Sequence, residues 1–344
     1  MPGSAGGHCR GSRRVFSRPR LGREVAVARF GYTLSSEEHP APRLVELAAR
    51  AEELGFEFAG IADHYHPWLD VQGNSPFVWS VLGALAERTE RLTLMTGVTC
   101  PTIRIHPAVV AQAAATTATL LPGRFWFGVG TGENLNEHIL GDRWPPTSVR
   151  REMLEEAVAI IRELFTGEQV EHHGRHYTVE NARLYSLPEE PPPILVAGSG
   201  PKAIELAGRI GDGFVGLAPQ PDLVEQFEAA GGSGPKVAQL HVCWATDEAK
   251  ARNTALEQWS NAGLGGELSQ ELPNPAHFKQ AASTVREDDV CGAISCGPDI
   301  EQYLESVKQY LDAGYDHLYF HQIGDDQEGF FEFWERELRP ALAE

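Results

Sequence analysis

The sequence repeats one unit, in which an amphipathic helix ends at a glycine and a short apolar strand follows. The three clearest copies place helices at residues 44–54, 203–210 and 303–313 and strands at residues 56–61, 214–217 and 317–321. Glycine ends such helices because a residue without Cβ adopts the left-handed conformation at little steric cost. The strands are mostly apolar on both faces, which is typical of a parallel sheet covered by helices. The repeat therefore predicts an α/β fold.

Further apolar segments bring the number of predicted strands to eight. These strands are predicted at residues 25–32, 92–98, 124–129, 194–197 and 237–244, with helices at 77–87, 108–120, 149–165, 222–229 and 247–259. Eight strands alternating with helices favour a (β/α)8 TIM barrel over an open six-stranded sheet. Residues 170–187 are predicted to form an inserted hairpin, and residues 263–286 a second insertion near the mouth of the barrel.

The first residues of the chain differ in composition from the rest. Residues 1–29 contain seven arginines and one glutamate among glycine, serine and proline. Such a segment cannot bury a core, so residues 1–28 are predicted to be a disordered arginine-rich extension and residues 29–344 a single domain. Residues 12–16 resemble a twin-arginine export signal, but no apolar segment follows them, and we expect an upstream start codon or an inert extension rather than export.

Charge and cysteine content exclude several classes of protein. The net charge of −19 is opposite in sign to that of a nucleic-acid-binding protein. No apolar stretch approaches the ~18 residues of a membrane span. The five cysteines form no CxxC pair and no set of metal ligands. We expect a cytoplasmic protein that acts on a small-molecule substrate, without nucleic acid, membrane or metal as a partner.

The residues after each predicted strand are candidates for the functional site, because ligands of TIM barrels bind at the C-terminal ends of the strands. The richest of these ends is the second, where Asp63, His64 and Trp68 lie within six residues. An imidazole beside a carboxylate provides an acid–base group with a partner that orients it, and the indole provides an aromatic wall. A polar loop without a function is the alternative, and the position at a strand end favours function.

The fourth predicted strand ends in a glycine-rich segment, residues 128–137, with the sequence GVGTGENLNE. Glycine lets the backbone approach a ligand closely, and Glu133 is predicted to project into the mouth of the barrel. The segment does not match a dinucleotide-binding motif, because Asn134 occupies the place of the third glycine. A nicotinamide cofactor bound in the Rossmann manner is therefore disfavoured.

The fifth predicted strand runs directly into a helix that begins at Pro201. Four small residues form the connection: Ala197, Gly198, Ser199 and Gly200. Free amides at such a helix start bind anions such as phosphate, although an ordinary strand-to-helix turn is equally compatible with the segment. The first and eighth strands end near Glu37 and His321, which are single polar candidates for substrate contact.

Together these segments resemble the coenzyme F420-dependent, or deazaflavin-dependent, branch of the luciferase-like barrel superfamily. The resemblance extends from residue 30 to the C-terminus and rests on three motifs in the family's order: Ala62-Asp63-His64 with Pro67-Trp68, residues 130–137, and Gly200-Pro201. It implies a TIM barrel, a bound F420 cofactor, hydride transfer between an alcohol or carbonyl substrate and C5 of the deazaflavin, and a homodimer. A flavin mononucleotide (FMN)-dependent monooxygenase of the luciferase type is the alternative enzyme, and a catalytically inactive barrel is the alternative outside enzymes.

The resemblance also implies catalytic roles for individual residues. His64 is implied to remove the proton from the substrate hydroxyl, and Glu133 to supply a proton to N1 of the reduced ring. Trp68 is implied to pack over the reacting centre. Glu37 stands where the family keeps another active-site carboxylate.

Further residues are implied to bind the cofactor. Asp63 is implied to bind or orient its ring. The family keeps a non-proline cis peptide in a bulge at the end of the third strand, and Gly97-Val98 occupies that place. The remaining contacts are implied for the glycine-rich segment and the strand-to-helix turn: Thr131, Gly132, Asn136, Ala197, Gly198, Ser199 and Gly200.

One departure from the family pattern concerns the substrate. Family members that oxidise a sugar phosphate hold its phosphate with two lysines and an arginine, and the corresponding positions here are Gln220, Ser269 and Ala293. A phosphate dianion without cationic partners is poorly held in a partly buried site. We therefore expect an uncharged or differently charged alcohol or carbonyl compound rather than glucose 6-phosphate, although Lys279 and Arg286 are near in sequence and could replace the missing cations.

Overall fold

The computed structural model describes residues 28–343, so almost all of the predicted extension at residues 1–28 lies outside the described residues. The strands are β1 (Arg29–Leu34), β2 (Phe58–Ile61), β3 (Thr93–Thr96), β4 (Phe125–Val129), β5 (Val170–His173), β6 (Thr178–Ala182), β7 (Ile194–Ala197), β8 (Gly213–Gly216), β9 (Lys236–Cys243), β10 (Ser295–Cys296) and β11 (His317–Gln322). The α-helices are α1 (Ala41–Glu53), α2 (Val78–Arg88), α3 (Pro107–Leu120), α4 (Asn134–Glu137), α5 (Thr147–Leu164), α6 (Pro201–Ile210), α7 (Pro221–Ala229), α8 (Glu248–Trp259), α9 (Leu268–Glu271), α10 (Pro275–Ala281), α11 (Glu287–Cys291), α12 (Ile300–Asp312), α13 (Gln327–Phe333) and α14 (Arg339–Leu342).

Most of the strands close into a parallel barrel. The order is β1-β2-β3-β4-β7-β8-β9-β11, and β11 pairs with β1 to complete the circle. The short strand β10 pairs with the last two residues of β9, beyond the part of β9 that pairs with β8. The predicted (β/α)8 TIM barrel is confirmed, and each predicted strand coincides with a barrel strand over its described residues. Strand β3 ends two residues earlier than predicted, before Gly97-Val98.

Alternating side chains of the barrel strands divide into an outer and an inner core. On the outer side, Phe56 stacks on Trp334 with 4.2 Å between ring centroids, which anchors the C-terminal helical segment against the barrel. On the inner side, large side chains from different strands fill the barrel: Phe58, Met95, Leu195, Val215, Val237 and Tyr319. Because these side chains plug the interior, the site of a ligand must lie above them, at the C-terminal ends of the strands.

Both predicted insertions are present. Strands β5 and β6 pair as an antiparallel hairpin. Residues 263–286 contain the short helices α9 and α10. Phe278 of α10 is fully buried and lies edge-on to Trp68, with 5.2 Å between ring centroids. This contact places the second insertion at the mouth of the barrel, as predicted.

Two further features bear on the surroundings of the protein. None of the helices within residues 28–343 is both long enough and apolar enough to cross a membrane. The cysteines in this part of the chain are free thiols, and the Sγ atoms of Cys291 and Cys296 lie 3.4 Å apart.

Candidate active site

The candidate site is built around His64, which follows β2, and Glu37, which follows β1. Because β1 and β2 are neighbouring parallel strands, their C-terminal ends lie side by side, and Nδ1 of His64 is 2.8 Å from Oε1 of Glu37. Only 10% of the His64 side chain and 5% of the Glu37 side chain are exposed. The contact joins an imidazole nitrogen to a buried carboxylate oxygen and is an ion pair when the ring is protonated.

This ion pair sets the charge of both groups. Burial lowers the pKa of His64, but the negative charge of Glu37, with smaller contributions from Glu133 and Asp63, raises it to about 8. Burial raises the pKa of Glu37, but the neighbouring His64 lowers it to about 2. Since each group favours the charged form of the other, the pair rests as imidazolium and carboxylate at neutral pH.

Glu133 and Trp68 complete the group around His64. Oε2 of Glu133 lies 4.0 Å from Nε2 of His64, and 29% of the Glu133 side chain is exposed to the open mouth. The Trp68 ring lies edge-on to the His64 ring, with 5.2 Å between centroids. The structure therefore brings together the four residues predicted to be catalytic, Glu37, His64, Trp68 and Glu133. Their catalytic roles stay a prediction.

A second group of charges, almost entirely buried, surrounds Asp63. The Asp63 carboxylate has no exposed surface and accepts hydrogen bonds from Thr99 Oγ1 and from the Arg104 guanidinium, both at 2.9 Å. Arg104 also lies 3.6 Å from Glu137. Burial raises the pKa of Glu137 to about 7, although Arg104 opposes this shift. Asp63 thus anchors the loop that follows β3, and its implied contact with the cofactor stays a prediction.

Asn136 is buried as well and joins two loops of the site. Its Oδ1 accepts hydrogen bonds from the backbone N–H groups of Tyr65 and His66, at 2.9 and 3.0 Å. Its Nδ2 lies 3.5 Å from Glu133. These bonds hold the loop that carries His64 against the segment that carries Glu133. Asn136, implied to bind the cofactor, acts in this structure as the tie between the two loops.

Backbone and small side chains line the ends of β3 and β4. The Gly97-Val98 peptide bond is cis, as the resemblance implies. A Cβ at Gly130 would come within 2.7 Å of the Val98 side chain, and one at Gly132, where φ is +75°, within 2.6 Å of a neighbouring thiol. Thr131, between these glycines, is half-buried. Glycine is therefore required at both positions for the two segments to approach each other.

The turn between β7 and α6 presents backbone amides. The N–H of Gly198 bonds to a barrel carbonyl at 3.1 Å, whereas no acceptor among the described residues faces the N–H groups of Ser199 and Gly200. Ala197 is half-buried, and Ser199 is exposed. Helix α6 is ten residues long and begins with Pro201, so the positive end of its dipole is directed at this turn. Open amides at a helix start fit an anionic group such as phosphate.

Several residues of the site were not predicted from the sequence. Arg104 lies in a loop whose sequence has no periodic pattern. Glu137 is the last residue of the motif at residues 130–137, and nothing in that motif distinguishes it as a buried charged group. His321, predicted only as a single polar group, has two partners: its Nε2 lies 2.8 Å from Glu38, and its Nδ1 lies 2.8 Å from Nδ1 of His241. The alternation of β9 is visible in the sequence, but it does not show which face of the strand is the inner one.

The arrangement is suited to proton transfer. His64 can exchange a proton at Nε2, which faces Glu133, while Glu37 holds the ring from the Nδ1 side. A histidine with a carboxylate partner and a second carboxylate within reach is a common apparatus for general acid–base catalysis. Trp68, with Phe278 of the second insertion behind it, forms an aromatic wall beside this group.

The comparison with known proteins shows which family has this arrangement of elements. Residues 25–317 match the luciferase-like monooxygenase family. The chain belongs to this family. The match extends through the barrel from the region of β1 to the first residue of β11. The predicted resemblance to luciferase-like barrels is therefore confirmed.

Relatives of this luciferase-like protein place it more closely within the family. The F420-dependent glucose-6-phosphate dehydrogenase of Microbacterium testaceum is 36% identical over 330 residues, which cover 91% of this chain and 97% of the relative. The F420-dependent glucose-6-phosphate dehydrogenase of Nakamurella multipartita is 37% identical over 327 residues, which cover 91% and 96%. The similarity to the F420-dependent branch, first seen in short motifs, thus extends over nearly the whole chain.

Solved structures agree with this placement. An F420-dependent secondary alcohol dehydrogenase in complex with an F420–acetone adduct has a TM-score of 0.85 and 29% identity, over 92% of this luciferase-like chain and 99% of its own. The coenzyme F420-dependent tetrahydromethanopterin reductase from Methanopyrus kandleri has a TM-score of 0.74 over 92% of this chain and 100% of its own. At 23% identity, this second likeness supports the fold alone.

Proposed function

We propose that this luciferase-like protein is an F420-dependent oxidoreductase that transfers a hydride between an alcohol or carbonyl substrate and the deazaflavin of coenzyme F420. The observation that carries the proposal is the cluster at the barrel mouth, where His64 lies 2.8 Å from Glu37 and 4.0 Å from Glu133. Relatives that are 36% and 37% identical are named as F420-dependent dehydrogenases. A solved structure that is 29% identical holds an F420–acetone adduct.

The residues at the mouth fit such a cofactor in two respects. The turn at Ser199 and Gly200 offers unpartnered N–H groups at the start of α6, which suits a phosphate on the cofactor's tail. Gly130 and Gly132 leave backbone rather than side chains at the end of β4, which lets a flat ring approach. We assign two groups of residues to the cofactor, one to the ring and one to the tail: Gly97, Val98, Thr131 and Gly132, and Ala197, Gly198, Ser199 and Gly200. When bound, the deazaflavin supplies the carbon that accepts or gives up a hydride.

The protein's own contribution is the control of protons. In alcohol oxidation, neutral His64 removes the hydroxyl proton at Nε2, and Glu37 stabilises the imidazolium that results. In carbonyl reduction, the same imidazolium returns the proton to the substrate oxygen. Glu133, which is open to the mouth, holds or releases a second proton. Trp68, packed against Phe278, covers this side of the mouth and excludes water.

We further propose that the substrate is not glucose 6-phosphate, although the relatives named above are glucose-6-phosphate dehydrogenases. The three positions at which a phosphate clamp is expected hold uncharged residues: Gln220, Ser269 and Ala293. Of the two nearby cations, Arg286 pairs with Asp289 at 3.4 Å, and Lys279 is exposed on α10. A phosphate dianion is therefore poorly matched by this site, and an uncharged alcohol or carbonyl compound fits it better.

Titration of the purified full-length protein with F420 and with FMN tests the cofactor, because the two chromophores have different absorption spectra. Bleaching of F420 by a panel of alcohols then tests the reaction, with H64A and E133Q as variants. We expect tighter binding of F420 than of FMN, and F420 reduction that both substitutions strongly reduce. Tighter binding of FMN, or full activity in both variants, contradicts the proposal. Turnover of glucose 6-phosphate at the rate of the best uncharged alcohol contradicts the proposal on the substrate alone.

We also propose that the protein is a homodimer that pairs through α3. Four residues spaced by four, three and four positions form a stripe along this helix: Val109, Ala113, Thr116 and Leu120. Val109 is 57% exposed and Leu120 is 45% exposed, and with Phe77 they line a groove of about 330 Å³. A twofold axis would place this stripe against the same stripe of a second copy and bury both.

A cytoplasmic location is likewise proposed. Cys291 and Cys296 are thiols whose Sγ atoms lie 3.4 Å apart, and an oxidising compartment would favour a disulfide between them. Fractionation of cells that express the full chain tests this location. Recovery of the protein in an exported fraction would contradict it.

A further inference from the structure

The inner face of the barrel ends in two histidines, on β9 and β11. Val237 and Gln239 of β9 face the interior, where Gln239 donates a hydrogen bond to Thr33 of β1 at 3.2 Å. The alternation of a strand places His241 on the same face. His321 occupies the paired position on β11. Both rings therefore stand at the mouth of the barrel, next to the side chains that plug it.

A chain of contacts links His241, His321 and Glu38. Nδ1 of His241 lies 2.8 Å from Nδ1 of His321, and Nε2 of His321 lies 2.8 Å from Oε2 of Glu38. Glu38 accepts further hydrogen bonds from Ser35 Oγ and from the N–H of Gly324, each at 2.8 Å. Only 1% of the His321 side chain and 4% of the Glu38 side chain are exposed, so this end of the chain is shielded from water.

These contacts occupy one nitrogen of His241 and leave the other free. A carboxylate only accepts hydrogen bonds, so His321 carries a proton on Nε2, which faces Glu38. A single proton lies between the two Nδ1 atoms, so His321 engages Nδ1 of His241 whichever ring carries that proton. Burial, together with the neighbouring His321, lowers the pKa of His241 to about 3, so this ring stays neutral. Nε2 is therefore the polar atom of His241 that remains to bond a ligand.

Nε2 of His241 is open to the mouth of the barrel. It has no hydrogen-bond partner among residues 28–343 and is not sealed from solvent. Trp259 lies 5.8 Å from the His241 ring and belongs to a cluster that also contacts Trp68, the wall of the proton-transfer site. The charge of Glu37 also reaches His241, where it opposes the lowering of the pKa. Nε2 of His241 and the ion pair of Glu37 with His64 therefore share one mouth.

We propose that His241 is a substrate-positioning residue whose Nε2 forms a hydrogen bond with a second hydroxyl group of the substrate. The inference rests on the proposed function, in which His64 acts on the first hydroxyl. The substrate is then a polyhydroxy compound rather than a simple secondary alcohol. A site built to bond a hydroxyl rejects the analogue that lacks it, because a partly buried polar atom is left without a partner.

Two substitutions separate contact with the substrate from support of His321. Asparagine at position 241 places its amide near the former Nδ1, where it can still bond to His321, but it does not reach the position of Nε2. Glutamine places an amide oxygen near Nε2. A substrate contact predicts that H241Q keeps part of the preference for a second hydroxyl and that H241N loses it. A purely structural role predicts the reverse order.

The kinetic test compares matched alcohols on the full-length protein with F420. The pairs are propan-2-ol with propane-1,2-diol, and butan-2-ol with butane-1,3-diol. We expect kcat/KM for at least one diol to exceed that of its partner by about 10-fold or more. H241N should bring this ratio close to one, mainly by raising KM for the diol. The control H173N, at an exposed histidine of the β5–β6 hairpin, should keep the wild-type ratio.

The outcomes distinguish failure of this inference from failure of the proposed function. A ratio near one in the wild type, or an unchanged ratio in H241N, overturns the role of His241 while F420 reduction still supports the oxidoreductase. If no alcohol reduces F420, the proposed function fails, and ¹⁵N NMR of histidine-labelled protein decides the role of His241 independently. The Nε2 resonance lost in H241N should shift with a diol but not with its monohydroxy partner. No shift with either diol, or an equal shift with the monohydroxy partner, overturns the inference.

Discussion

Nδ1 of His64 lies 2.8 Å from Oε1 of Glu37, and the two side chains follow neighbouring strands of the barrel. The ion pair favours the imidazolium after His64 has taken a proton, but for the same reason it opposes the neutral ring that must take it. Burial lowers the pKa of His64 whereas Glu37 raises it, and the net result is a pKa of about 8. This balance sets the pH range in which each direction of the proposed reaction is favoured.

The first prediction concerns the pH dependence of alcohol oxidation. His64 must be neutral to accept a proton, so kcat/KM should rise with pH and level off above the His64 pKa of about 8. In E37Q the charge that raises the pKa is lost while burial, which lowers it, remains, so the midpoint should move to lower pH. The pH–rate profiles of E37Q and of E46Q, an exposed control on α1, measure the shift. An unmoved midpoint in E37Q would show that the pair does not control His64.

A second prediction concerns the stability that this pair contributes. The pKa of His64 is raised from 6.5, so its contribution is complete below pH 6.5 and is lost as pH rises through about 8. The pKa of Glu37 is lowered from 4.5, so its contribution is complete above pH 4.5 and is lost as pH falls through about 2. The difference in Tm between the wild type and E37Q should therefore be largest between about pH 4.5 and 6.5 and smaller at pH 9. Thermal denaturation across this range measures the difference, and a difference independent of pH would contradict the assignment.

A third prediction separates proton transfer from cofactor binding at Glu133. E133Q keeps the size and the hydrogen-bonding capacity of the side chain but cannot hold an exchangeable proton, so kcat should fall by about 10²–10⁴-fold. The Kd for F420 should change by only a few-fold, because the residues assigned to the cofactor are untouched. E267Q, at an exposed position of the second insertion, is the control. Loss of F420 binding in E133Q alone would reassign Glu133 to the cofactor.

The barrel and the positions of His64 and Glu133 are predictable because their signals are local. Each strand is a short apolar run ended by polar or glycine residues, and knowledge of the fold places strand ends at one mouth. Arg104 gives no such signal, because its partners Asp63 and Glu137 lie 41 and 33 residues away and meet it only through the closure of the barrel. The contact between His241 and His321, 80 residues apart, depends likewise on the pairing of β9 with β11.

A fourth prediction tests the buried charges around Arg104. R104M would leave the Asp63 and Glu137 carboxylates buried without a cation, which should destabilise the protein by about 3–5 kcal/mol. R88M, at an exposed arginine of α2, should have little effect. Neutralising both carboxylates in the triple variant R104M/D63N/E137Q should restore part of the loss, because the uncompensated charges are then absent. Urea denaturation measures these changes, and a triple variant less stable than R104M would argue against repulsion and desolvation as the cause.

The last prediction concerns the exposed stripe of α3. If a second copy covers it, glutamate at position 120 would bury an unpaired charge in an apolar interface, so L120E should dissociate the dimer. Leu140 offers a matched control, because it is 64% exposed but lies outside the stripe, and L140E should stay dimeric. Sedimentation equilibrium of both variants over a range of concentrations measures the association. A wild-type protein that sediments as a monomer, or an L120E variant that stays a dimer, would show that the stripe is not the interface.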